Sequence, residues 1–135
     1  MVIGPASASE LPTVDSRARD FVVMHHGAPH FADLCASAEI VVCPASTTSH
    51  EMAYLGVAFI PVVTVENQVR TGIGWEEAGM GSYLSSADPR LADRIGEEVS
   101  RLLGDGRARL ARVSRGRRIV DGLGAQRITQ SLGVL

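Results

Sequence analysis

The segment Ala45-Ser46-Thr47-Thr48-Ser49-His50-Glu51 concentrates groups suited to holding a ligand. Hydroxyls on Ser46, Thr47 and Thr48 precede the carboxylate of Glu51. At a helix start, such residues offer free backbone N–H groups and the positive end of the dipole to an anion such as a diphosphate. An acid one turn further along accepts two hydrogen bonds from the vicinal hydroxyls of a ribose. The same stretch also fits the capping box S/T-x-x-E, running from Thr48 to Glu51, which needs no ligand. Both readings stand on the residues alone.

A second polar stretch, Glu66-Asn67-Gln68, follows the next apolar run. Its adjacent amides donate and accept, as phosphate oxygens and sugar hydroxyls require, but Asn67 is equally suited to be a plain helix N-cap. The histidines give less. A zinc pair at His26 and His30 requires a continuous helix, and Gly27 and Pro29 break it. Trp75, on an amphipathic stretch, reads as core. Gly72-Ile73-Gly74 has Glu77 where a dinucleotide fingerprint has its third glycine, and there is no G-x-S-x-G elbow. No catalytic residue, cofactor or metal ligand is assigned to the chain.

The elements that must position these groups follow from the punctuation. Gly4-Pro5, Gly27-Ala28-Pro29, Cys43-Pro44 and Asp88-Pro89 cut the chain into short apolar runs alternating with amphipathic ones, the pattern of βα units. Strands are predicted at Val2-Ile3, Phe21 to Met24, Glu39 to Cys43, Phe59 to Val63 and, more weakly, Gly81 to Leu84. Their unbroken apolar character indicates a parallel sheet buried on both faces. The fold class expected is α/β, a Rossmann-like doubly wound parallel sheet. Pro61 conflicts with a central strand, because it has no N–H for the ladder. Helices are predicted over residues 30–37, 48–55 and 67–78, and from Asp88 as N-cap with Pro89 at the first helical position. Leu91, Ile95, Val99 and Leu102 follow helical spacing there. An Arg-rich helix extends to about Arg118, and a break at residues 121–124 precedes a last short helix.

Composition bounds what this architecture can do. A chain of 135 residues makes about one domain, 1–135. Its basic residues are all arginine, which removes P-loop, Schiff-base and Ser-Lys chemistry. Aromatic residues are only 4 %, too few for nucleic-acid binding by base stacking. Residues 1–100 carry a net −8 and residues 101–135 a net +6. Arg107, Arg109, Arg112, Arg115, Arg117 and Arg118 read as the solvated face of a terminal helix. Cys35 and Cys43 lack CxxC spacing and a secretory signal, indicating reduced thiols and a cytoplasmic location. No apolar run is long enough to span a membrane.

Taken in order, Ala38 to Val42 leading to Glu51, then Leu55-Gly56-Val57, then Glu66-Asn67-Gln68, resemble the carboxyl-terminal domain of GT-B nucleotide-sugar enzymes. The likeness is nearest to the UDP-sugar hydrolases of pseudaminic acid biosynthesis, which are similar also over Val120 to Ile128. The resemblance implies that Thr47 and Thr48 face a diphosphate, that Glu51 holds the ribose, and that Asn67 and Gln68 lie near phosphates and sugar. It implies that the loop Met24 to Phe31 borders the uracil. Ser46 stands where the family pattern has glycine, and Ala58 where it has proline. The resemblance further implies that the chain lacks the first strand of its domain and the amino-terminal catalytic domain. The expectations are then no activity from this chain alone, a UDP-sugar ligand, and association as a homo-oligomer or with a partner chain carrying that domain.

Overall fold

The computed structural model describes residues 2–3 and 15–133, so the turn expected at Gly4-Pro5 lies outside the described residues. They fall into two compact units, one up to Asp33 and one from Leu34 onward.

In the first unit, β1 (Val2–Ile3) pairs in parallel with β2 (His25–His26), Val2 opposite His25 and Ile3 opposite His26. The strand predicted over Phe21 to Met24 is displaced to His25. Phe21 closes a 3₁₀ turn, Arg19–Phe21, donating its N–H to Ala18 O at 2.9 Å, while Val22 donates to Arg19 O. The backbone groups that a ladder needs are therefore spent locally, and Phe21 and Val23 stay 87 % and 66 % exposed. Helix α1 (Phe31–Ala36) spans the boundary between the units.

In the second unit, β3 (Ile40–Pro44) and β4 (Ala58–Val62) pair in parallel, with Ile40 opposite Ala58 and Pro44 opposite Val62. Between them runs α2 (Thr47–Leu55), which ends at Gly56 with φ 75°. Only glycine adopts that left-handed conformation at little cost. Every residue of β4 is buried, as a strand covered on both faces must be. Ile60 and Val62 pack with Leu84 and Leu102, joined by Leu91, Ile95 and Val99 of α4 (Leu91–Gly104), so the helical spacing seen in the sequence is the packed stripe. Phe59, of opposite parity, meets Trp75 of α3 (Val69–Glu77) edge to face at 5.1 Å. The described residues thus form a mixed α/β fold whose strands pair in parallel, as two separate pairs.

Pro61 is accommodated because β4 meets β3 along one edge only. Ala45 donates its N–H to Val62 O at 2.8 Å, which places the Val62 backbone groups toward β3. Alternation then turns those of Phe59, Pro61 and Val63 toward the outer edge. That edge offers a further strand an incomplete ladder: Arg112 reaches Phe59 O, Pro61 has a carbonyl but no donor, and Val63 pairs through both its groups. The strand predicted over Gly81 to Leu84 shrinks accordingly to one parallel bridge, Val63 with Ser85.

Helix α4 begins at Leu91, two residues later than an Asp88 cap implies. The Asp88 carboxylate instead accepts from Arg90 N–H and from Arg94 Nη1, each at 2.8 Å, closing the turn before the helix. Those bonds, the Arg94 one above all, hold its carboxyl below the ordinary value.

Helix α5 (Gly106–Ile119) is capped by Asp105, whose side chain accepts from Ala108 N–H at 3.0 Å. Ala108 joins the α4 cluster, Arg112 reaches the β4 edge, and a Cβ at Gly116 would lie 3.3 Å from Ala53 Cα of α2. Helix α5 therefore wraps around the outer edge of β4.

The expected solvated arginine face is corrected here. Arg112 is buried, ion-paired to Glu98. Arg109 donates to Leu102 O and Leu103 O at the end of α4, Arg117 to Leu55 O at the end of α2, and Arg115 to Gly79 O beyond α3. Helix ends leave carbonyls unsatisfied and carry negative dipole charge, and guanidinium forks answer both. Arg107 and Arg118 alone of the six fit the solvated reading, exposed and without a partner among the described residues. In helix α6 (Gly124–Ser131), Arg127 pairs with Asp121 of the turn before the helix. Among the described residues no helix is long and apolar enough to cross a membrane.

Candidate functional site

The chain leaves β3 at Pro44 and enters α2 through Ala45 and Ser46, so residues 46–51 occupy the carboxyl end of a parallel strand. Residues 66–68 follow β4, and because Pro44 pairs with Val62 both loops emerge at the same sheet edge. In open α/β sheets ligands bind at that edge.

Ser46 is the N-cap of α2, extended at φ −130°, and its side chain makes no cap bond. An ordinary extended backbone needs no glycine, so the serine at this turn is unstrained. The Ser46 carbonyl accepts from Ser49 N–H at 3.0 Å, from Ser49 Oγ at 2.6 Å and from His50 Nδ1 at 3.1 Å. A carbonyl only accepts, so His50 Nδ1 is the donor in that contact. Thr47 and Thr48 are the first two helical residues, whose N–H groups no helical carbonyl reaches.

This start overturns the capping box. With Ser46 as N-cap, Thr48 is the second helical residue and Glu51 the fifth, out of register for a reciprocal bond. Glu51 is exposed and has no hydrogen-bond or ion-pair partner among the described residues. Its charge acts on two buried thiols. Burial first, then Glu51, raises Cys35 above its ordinary value, and burial, Cys35 and Glu51 together push Cys43 up to about 12. Both cysteines are free.

The amide pair is divided. Gln68 Oε1 accepts from Thr64 N–H at 2.9 Å and from Thr64 Oγ1 at 3.0 Å, so its oxygen holds the turn and its NH₂ remains. Asn67 lies inside the 3₁₀ turn Glu66–Gln68, exposed, and Gln68 rather than Asn67 precedes α3, so the N-cap reading of Asn67 fails. The loop Met24 to Phe31 lies in the first unit, and the site described here is that of the second.

Sequence reasoning missed the brace beneath this edge. Trp75 Nε1 donates to Ser49 Oγ at 2.8 Å, both residues being buried, and the His50 ring lies 5.1 Å from the Trp75 ring. The Ser49 hydroxyl both donates to Ser46 O and accepts from the indole, and it fixes the first turn of α2 to α3. His50, Arg70, Thr71, Trp75 and Ile119 line a cavity of about 330 Å³ beside it. Together the edge offers an anion-favouring helix start, two threonine hydroxyls, a free carboxylate and two amides. No family model, no curated protein and no solved structure matches the chain.

Proposed function

We propose that this chain is the UDP-sugar-binding portion of a GT-B nucleotide-sugar hydrolase or glycosyltransferase, its second unit part of a Rossmann-like carboxyl-terminal domain. The pathway class is bacterial surface polysaccharide or nonulosonic acid biosynthesis, on the strength of the motif resemblance. The observation that carries the reading is Glu51: a solvent-facing carboxylate without a protein partner, one turn into a helix that starts at the carboxyl end of a parallel strand. With the capping box gone, the ribose role is the one that uses it. Thr47 and Thr48 then face the diphosphate with their N–H and hydroxyl groups, and Asn67 with the Gln68 NH₂ faces phosphates or sugar. The other wall of the cleft falls to an amino-terminal domain of the kind such enzymes carry.

A non-catalytic nucleotide-binding or scaffold module is the alternative. It is favoured by the commitment of His50 Nδ1 to a backbone carbonyl, with its ring against Trp75 rather than beside Glu51. Amide spectra recorded during UDP addition test the location common to the nucleotide-binding readings, enzymatic or not. The expected result is concentration-dependent shifts confined to residues 45–51 and 64–69. Shifts elsewhere, or none at several millimolar UDP, would sink it.

A further inference from the structure

A separate cavity of about 440 Å³ opens near the start of β4, where α4 and α5 meet the loop after α3. Its charged lining consists of Glu98, Arg101, Arg112 and Arg115. Glu98 accepts from Arg101 Nε at 2.8 Å and Nη2 at 3.2 Å, and also from Arg112 Nη2. Those bonds, the Arg101 one first, hold the Glu98 carboxyl below its ordinary value. Arg115 Nη1 donates to Gly79 O at 2.6 Å and Arg112 Nη1 to Phe59 O. Two guanidiniums thus hold one carboxylate, and a third, that of Arg115, lines the same cavity. Among the lining residues positive charge is in excess, with Asp105 acting on Arg101 and the Glu76 carboxylate held by Tyr83 N–H outside the lining.

The loop is shaped to admit them. Gly79 and Gly81 have φ +70° and +128°; a Cβ at Gly79 would lie 2.9 Å from Arg115 Nη1, and one at Gly81 2.8 Å from Arg112 Nη2. Between those glycines and Tyr83, the N–H groups of Gly81 and Ser82 and the Ser82 hydroxyl have no partner among the described residues. A guanidinium carries five N–H donors, so all three arginines keep donors beyond the bonds just named.

We propose that this cavity binds a phosphate group, free or as a phosphomonoester. Several guanidinium forks converging from two helices, with amide and hydroxyl donors on a glycine loop, match a tetrahedral dianion better than a planar carboxylate. The site lies toward the opposite end of β4 from the nucleotide edge and does not depend on the UDP reading. The cavity also leaves room for an ester substituent.

Calorimetric titrations with inorganic phosphate and with glycerol 3-phosphate, at ionic strength matched with chloride, test it and tell the two sources apart. At least one is expected to bind with a dissociation constant of about 1 mM or below. Arg101→Gln should weaken that binding at least about tenfold. Ala111→Glu, which adds a carboxylate to the lining at an exposed helical position, should abolish it while the protein stays folded. Glu51→Gln should leave it unchanged. No binding of either probe at tens of millimolar, or wild-type affinity in Arg101→Gln or Ala111→Glu, overturns the proposal.

Discussion

Arg112→Ala is expected to destabilise the second unit by about 3 kcal/mol, the lower end of the range for breaking a buried ion pair. The Arg112 side chain is only 6 % exposed and joins α5 to both Glu98 of α4 and the carbonyl of Phe59. Its removal leaves that carbonyl without its partner, at a cost of about 1–3 kcal/mol, and uncovers the space its stem fills. Arg101 stays with Glu98, which keeps the loss from the top of the range. Arg112→Met retains the apolar stem and is expected to fall between wild type and alanine. Urea unfolding followed by Trp75 fluorescence measures both, since this is the chain's sole tryptophan. An unchanged midpoint for Arg112→Ala would mean that α5 is not anchored to the β4 edge.

Trp75→Ala is expected to cost about 3–5 kcal/mol, the loss typical of deleting a large buried aromatic. It removes the edge contact with Phe59 and the support beneath Ser49 and His50 at the start of α2. Trp75→Phe isolates the polar part. It keeps an aromatic ring near Phe59 and loses the indole N–H, while Ser49 Oγ still donates to Ser46 O. That variant should lose about 0.5–1.5 kcal/mol for the hydrogen bond, plus a smaller amount for the vacated volume. Urea unfolding followed by circular dichroism decides, and equal losses for Phe and Ala would remove the hydrogen bond from the account.

What could be read in the sequence was what is local. The runs 39–43 and 59–63 mark β3 and β4 because unbroken apolar residues between glycine, proline and polar turns suit parallel strands and little else. The stripe of Leu91, Ile95, Val99 and Leu102 is legible for the same reason. Phe21 to Met24 satisfies the same pattern and fails, since a 3₁₀ turn consumes its first backbone groups, and pattern carries no information on hydrogen-bond partners. The arginines of α5 look like a solvated face because their partners lie far off in sequence: Phe59 for Arg112, Gly79 for Arg115, Leu55 for Arg117. The helix start after β3 was legible in place but not in register. Hydroxyls and an acid after a strand point to a helix start, yet whether Glu51 caps the helix or faces solvent turns on a shift of two residues. The Trp75–Ser49 brace had no local signal at all.

The ribose role of Glu51 is the central claim, and titrating UDP into wild type and Glu51→Gln by calorimetry tests it directly. Glu51 lies in the helix interior, exposed and outside any cap, so the substitution should leave the unfolding midpoint unchanged. It should weaken UDP binding by on the order of 1.5–3 kcal/mol, the worth of hydrogen bonds to a charged group. Equal affinity for UDP in the two proteins, or no UDP binding by folded wild type at several millimolar, would contradict the account.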